Sequence, residues 1–558
     1  MKRILFFLLL LQPLSFSLVY SQDCHIDGIY YNIITQEDGS KAASVTNAIG
    51  GKEINFDSTT KYVGDIVIPD SISFDGERLP VVRIEQGTFL ICEDLKSVVL
   101  PRGVKSIEPS TFYACVALTS VVLPPDLESI ESYAFNECFS LSKIEIPASV
   151  SHIGNHAFCE CISLESFKVG TSVKYFGDEA FVSSNISEIS FSKDASIGKD
   201  VLLHCNNLSS IEVEEGHPVY DSRENCNALI ESASNKIVRG SAKTVIPASV
   251  LEIGDYAFDS CEGIQSVQIP DGCTRIGEKA FFKCSSLQSV TLPEGLTSID
   301  NWAFCLCDTL SEIHLPASLT SLGDGVFMHC RNLREMTIPE SITVIPNHAF
   351  LCCRKLSEVH LPQTLVNIGQ SAFFCCHFTS IDLPSSVRYI GPGAFQGCDE
   401  LTTITLPDSL TSISEYTFVG CPVLQDVTLP EGLQSVGKDA FSHSYALKNI
   451  IAKMKDPFPF GQMALYSVPK GQMTLYIPEG TRDAYTQAGW LNFIDNVIEM
   501  TETGIQDITS PSDKSVNSES ENSTFVNSNF LDLSGRRFPS LPTRKGIYIK
   551  DGRKVLIK

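Results

Sequence analysis

The sequence predicts an α/β solenoid, and three observations carry that prediction. Phenylalanines recur every 23 residues at Phe89, Phe112, Phe135, Phe158 and Phe181, and again at Phe258, Phe281, Phe304, Phe327, Phe350 and Phe373. After one step of 22 the series continues at Phe395, Phe418 and Phe441. Prolines keep the same interval at Pro247, Pro270, Pro293, Pro316, Pro339 and Pro362. The shared unit reads L-x-x-I-x-L-P-x-x-L-x-x-I-G-x-x-A-F-x-x-C, as in Leu287 to Cys307, with Val290 and Asp300 as variants. Fifteen units carry the aromatic slot, counting one in which Leu202 replaces phenylalanine. One such unit cannot bury its own apolar face, so stacked neighbours must cover it.

Each part of the unit has a physical role. Leu287, Val290 and Leu292 read as a short strand that pairs in parallel with its equivalents. Pro293 lacks an N–H and ends the strand. The Gly277 slot suits a turn, yet Asp300, Pro346 and Ser414 stand there in other units, so a left-handed backbone is not compulsory. The A-F-x-x-C stretch reads as a compact turn whose Phe and Cys point inward. At one strand spacing per unit the stack is about 70–80 Å long.

In chain order, residues 1–21 read as a secretory signal peptide. Lys2 and Arg3 precede the apolar run Ile4–Leu11, and Val19 and Ser21 supply small residues for cleavage. That run is too short to span a bilayer, and Asp23 beside Cys24 argues against a lipid anchor there. A β cap over 22–68 is followed by repeats over 69–210. Ile186 and Phe378 each follow their slot phenylalanine one residue early, which shortens those turns. Between 211 and 246 the interval fails. Tyr220–Arg223, Asn227–Ile230 and Asn235–Val238 there read as an extra hairpin inside a lengthened repeat. Repeats resume over 247–452, a terminal repeat and cap fill 453–500, and 501–530 is a Ser-, Asn- and Glu-rich linker. A β-rich tag closes the chain over 531–558, with Asp551-Gly552 as a hairpin turn.

Of the 558 residues, 43% are hydrophobic and 19% charged, enough apolar material for a core and too little charge for broad disorder. The formal charge of −24 disfavours nucleic acid as a partner. Residues 531–558 carry eight basic residues against Asp532 and Asp551, and Lys2 and Arg3 add two more positive charges. The body between them is therefore near −32, and the acidic body and basic ends have separate roles.

These motifs resemble the BspA-type bacterial leucine-rich repeat, over residues 25 to 500. Asp27-Gly28-Ile29-Tyr30-Tyr31 resembles that family's N-terminal cap strand. Pro218 to Ala228 resembles its long-repeat signature, and Leu475-Tyr476-Ile477-Pro478-Glu479-Gly480 with Tyr485 and Trp490 resembles its terminal unit. The resemblance implies a leucine-rich-repeat arc with a parallel β-sheet on its concave face, on or outside a bacterial cell, with adhesion as the role commonly proposed. The tag resembles a short form of the C-terminal sorting domain of type IX secretion, which implies transit of the outer membrane and removal or anchoring there.

Thirteen of the 20 cysteines hold one slot, three residues after the aromatic: Cys92, Cys115, Cys138, Cys161, Cys205, Cys261, Cys284, Cys307, Cys330, Cys353, Cys376, Cys398 and Cys421. Ser184 and Ser444 hold the same slot, so no cross-link is required. A reduced ladder of small buried thiols fits best, and a column of this kind cannot gather four zinc ligands. Cys159, Cys305, Cys352 and Cys375 lie off the ladder and are expected to pair or to be exposed. Gly432–Lys438 approaches a phosphate loop, but Asp439 replaces the Ser or Thr that such a loop needs. An enzyme using Cys305 as a thiol nucleophile lacks a base and an orienting group in register.

The sequence therefore predicts no enzyme, no cofactor and no metal site. The candidate binding residues are Ser289, Thr291, Glu312, His314, Glu335, Thr337, Glu358 and His360, the outward positions of four strands on the concave sheet. His314 and His360 lie two units apart, about 10 Å, too far to share one metal. The expected protein is secreted or on the cell surface, with no membrane span after signal removal. It binds a host or bacterial surface protein or glycan; the alternative is a surface-layer or matrix component that self-associates.

Overall fold

The computed structural model describes residues 23–47, 62–164 and 167–501, and the backbone of four short strands beyond residue 529. The expected signal peptide and most of the linker lie outside the described residues. Two compact units divide the chain, residues 1–505 and 506–558.

The first unit is a solenoid whose turns are joined by three parallel ladders. The front ladder uses the strand before the proline: Ser266–Gln268, Ser289–Thr291 and Glu312–Ile313 pair in parallel, as do Glu335–Thr337 and Glu358–His360. A second ladder uses the dipeptide before the glycine slot. Arg275–Ile276, Ser298–Ile299 and Ser321–Leu322 pair in register with Glu252–Ile253. The third lies at the back and is made of turns. Lys279, Phe281 and Lys283 donate their N–H groups to the carbonyls of Asn301, Ala303 and Cys305 at 2.8–2.9 Å. Lys279 and Lys283 have φ of 51° and 57°, so left-handed residues alternate along that ladder.

This corrects the α half of the predicted α/β class. Among the described residues the only α-helix is Arg482–Gln487, beyond the repeats, and the backs of the repeats are hydrogen-bonded turns. A helix would pair N–H and C=O groups within a unit, whereas these turns spend them between units. The glycine slot also works differently from a left-handed turn. A Cβ on Gly277 would lie 2.7 Å from Asp255 N, so the residue is small because the preceding unit's backbone passes against it.

Burial explains the sequence period. Phe258 through Phe441 form one stack, with ring centroids 5.0–5.7 Å apart and planes within 15°. Phe89 to Phe181 form another, and Tyr62 packs on Phe89 at 4.8 Å to close its N-terminal end. The cap begins with an antiparallel pair, Cys24–Ile26 with Ile29–Thr35, across Asp27 and Gly28 with φ of 50° and 82°. At the other end Tyr485 and Trp490 are fully buried, donating to Met454 O at 2.8 Å and Phe458 O at 2.5 Å.

The lengthened repeat is a wall between two hydrophobic cores. Its strands Tyr220–Asp221, Ala228–Glu231 and Lys236–Gly240 are antiparallel, and the last pairs in parallel with Glu252–Ile253, which starts the next run of repeats. Leu229 faces the first core, while Ala228 and Ile230 face the second, as the two-residue period of a strand requires. Gly240 lies so close to the Phe258 ring that a Cβ there would fall 2.0 Å from it. Arg239, buried at 3% exposure, donates to the carbonyls of Cys205, Tyr256 and Asp259 at 2.9–3.2 Å. Its guanidinium thus serves carbonyls from both sides of the break in the back ladder.

The second unit is a four-stranded antiparallel sheet in the order Arg537–Phe538, Phe530–Asp532, Gly546–Lys550, Arg553–Ile557.

Candidate binding face

The front ladder fixes where the candidate side chains stand. Buried Val290, Ile313 and Met336 and partly buried Val359 anchor four strands from below. Alternation then sends the flanking residues outward. Thr291, Glu312, His314, Glu335, Thr337, Glu358 and His360 are exposed, and Ser289 is half-buried. Register brings three pairs together as direct neighbours: Ser289 with Glu312, Glu335 with Glu358, and Thr337 with His360. His314 lies just past the end of its strand, Glu312–Ile313. Its Nε2 is 3.8 Å from Glu312 Oε1, and His360 Nε2 is 3.2 Å from Glu358 Oε1. Glu335 opposite Glu358 places two like charges side by side, an arrangement that costs stability and favours a cationic contact.

The second ladder carries features that sequence reasoning missed. Arg275 pairs with Glu252, Asp255 and Asp300 at 2.5–2.8 Å, beside an open polar hollow of about 450 Å³ that Asn301 and Asp324 also line. His152 and Tyr175 stack with centroids 4.5 Å apart. The residue after the glycine slot forms its own ladder: Asn301 Oδ1 accepts from Asp324 N, Asp324 Oδ1 from Asn347 N, and Asn347 Oδ1 from Gln370 N. Asn and Asp recurring at 23-residue spacing were the signal that could have shown it.

None of the 20 cysteines is in a disulfide. The ladder thiols do more than fill space. Each of eleven, from Cys115 Sγ to Phe89 O through Cys421 Sγ to Phe395 O, donates to the slot phenylalanine of the preceding unit at 3.0–3.3 Å. Ser444 Oγ makes the same bond to Phe418 O at 3.0 Å, which is why serine can replace cysteine there. Of the off-ladder four, Cys305 and Cys352 are buried, contrary to expectation, and Cys159 and Cys375 are half-buried. Burial pushes the Cys305 thiol up to about 12, the reverse of an activated nucleophile. Among the described residues no group of three or more His, Cys, Asp or Glu is placed to hold a metal ion.

The family model for the BspA type leucine rich repeat region matches in six copies, over residues 82–216, 240–357 and 343–456. The chain belongs to this family. The gap between matches, 217–239, falls on the inserted hairpin. No curated protein matches the chain. Solved structures similar to it include a leucine rich cell surface protein from Faecalibacterium prausnitzii, 26% identical over 61% of this chain and 95% of that one, with a TM-score of 0.46. A leucine-rich repeat protein from Bacteroides ovatus is 20% identical over 77% and 94%, with a TM-score of 0.40. The pneumococcal vaccine antigen PcpA is 17% identical over 87% and 100%, with a TM-score of 0.45. Among the described residues no helix is long and apolar enough to cross a membrane.

Proposed function

We propose that this BspA-type protein is an exported, adhesin-like binding module that holds an extended protein or glycan on its front sheet without catalysing a reaction. The observation that carries the reading is the register of the front ladder. Polar side chains recur at one strand spacing, as in Glu335 beside Glu358 and Thr337 beside His360, on a backbone fixed by buried residues. A repeating array on a stiff support suits a long ligand that makes many weak contacts, because little side-chain order is lost on binding. In this reading the front sheet is the concave face of the arc, the leader directs export, and the basic C-terminal tag directs sorting to the outer membrane.

The test is a binding screen of the chain against a glycan array and immobilised extracellular-matrix proteins, repeated with Glu312, His314, Glu358 and His360 all changed to alanine. Weaker binding with unchanged melting supports the front face. Undiminished binding places the site elsewhere. Concentration-dependent oligomers in sedimentation, without binding to the arrays, support a self-associating surface component instead.

A further inference from the structure

We propose that Cys352 and Cys375 form a modification site, a dithiol that an external disulfide converts into a bond between adjacent units on the back of the solenoid. The two residues hold the same slot, each two positions after its slot phenylalanine, in consecutive units. Their backbones belong to one ladder, with Cys352 N donating to Phe374 O at 2.7 Å and Cys375 N to Gln396 O at 2.9 Å. Both are left-handed, with φ of 60° and 56°, so their Cβ atoms leave equivalent backbone in the same direction. Neighbours in such a ladder sit about 5 Å apart, inside the roughly 4.4–6.8 Å that a disulfide spans between Cα atoms.

Their partners separate these thiols from the ladder cysteines. A ladder sulfur is tied to a phenylalanine carbonyl deep in the core, as Cys353 is to Phe327 O and Cys376 to Phe350 O. Cys375 is instead raised, after burial, by the neighbouring Cys352 thiol. The next residue in the slot is Gly397, where a Cβ would come 2.9 Å from Cys375 Sγ, so its missing side chain leaves that sulfur room to turn.

Exposure sets the order of events. Cys375 is half-buried and Cys352 buried, so Cys375 meets the oxidant first. Its thiolate attacks one sulfur of a low-molecular-weight disulfide and expels one small thiolate, which takes up the proton that Cys375 released. Cys352 then gives up its proton and attacks Cys375 Sγ, expelling the second small thiol. Two protein thiols are oxidised and one external disulfide is reduced to two thiols. Burial, the largest cause, holds Cys375 up at about 11, so the first step is slow at neutral pH and accelerates as pH rises.

The test incubates the full chain with oxidised glutathione at alkaline pH, then quenches, alkylates and maps peptides without reduction. The expected product is a peptide pair joined through Cys352 and Cys375, two hydrogens lighter than its reduced parts, with the ladder cysteines alkylated only after unfolding. Cys352→Ser should leave Cys375 as a glutathione adduct, and Cys375→Ser should leave Cys352 unmodified. Serine suits the slot, because Ser183 and Ser260 hold it with φ of 56° and 54°. Separate glutathione adducts on both cysteines of the unaltered chain, or an unchanged peptide map, would overturn the proposal.

Discussion

Phe327→Ala tests the stacking argument where it is most exposed to failure. Phe327 is fully buried, lying 5.7 Å from Phe304 and 5.6 Å from Phe350 with near-parallel planes. Truncation removes the transfer energy of the ring and leaves a cavity between two neighbours that the back ladder holds in place. Phe327 N still donates to Ala349 O in the variant, so the units cannot close the gap freely. Buried Phe→Ala changes cost about 3–5 kcal/mol, and two lost ring contacts favour the upper half of that range. Because each unit touches only its neighbours, the loss should be local. Hydrogen exchange at Phe304 to Phe350 amides should speed up by roughly 10²–10⁴-fold, since each 1.4 kcal/mol is a factor of ten, while amides near Phe112 keep their protection. Phe327→Leu should cost much less, as Leu202 already holds this slot in another unit. Unchanged exchange and melting, or a uniform loss of protection along the solenoid, would refute the reasoning.

Three further outcomes are expected. Cys330→Ser should lower the melting temperature only slightly, because a hydroxyl can donate to Phe304 O as Ser444 does to Phe418 O, whereas Cys330→Val should cost about 1–3 kcal/mol through overpacking and the lost donor. Arg239→Leu should cost about 3–5 kcal/mol by stranding carbonyls on both sides of the seam, and calorimetry should then resolve two transitions, one for each core. Burial raises the thiols of Cys161, Cys307 and Cys353 and holds Cys421 up at about 12. In the unfolded chain these thiols ionise from about pH 9 upward while the folded ones stay protonated, so stability is fully present below that pH and falls as pH rises toward the folded values. A pH series of urea midpoints between 7 and 11 checks the sign; a rising midpoint above pH 9 would contradict it.

The 23-residue period made the fold legible because stacking demands that equivalent residues meet, so Phe281, Cys284 and Val290 declare their inward positions by repetition alone. The failure of the period between Ile211 and Ile246 likewise marked the hairpin, since an antiparallel insertion cannot keep the stacking interval. The outward set on the front ladder could be named from alternation, but not its pairings. Glu335 meets Glu358 in register, while the ladder stops at Glu312–Ile313 and His314 is left beyond it.

What the sequence could not supply is where hydrogen bonds cross between units. The A-F-x-x-C stretch reads as a compact turn, yet the α/β class implied helix, because local pattern does not reveal that Phe281 N–H is spent on Ala303 of the next unit. For the same reason the ladder cysteines read as small buried thiols, although those thiols donate to carbonyls one unit away. The sequence by itself determined the period, the inward residues and the site of the interruption, because each is a repeated local choice. Only the tertiary structure decided how the units are joined, how the two cores are sealed, and which carbonyls the ladder thiols serve, because those depend on atoms brought together across the stack.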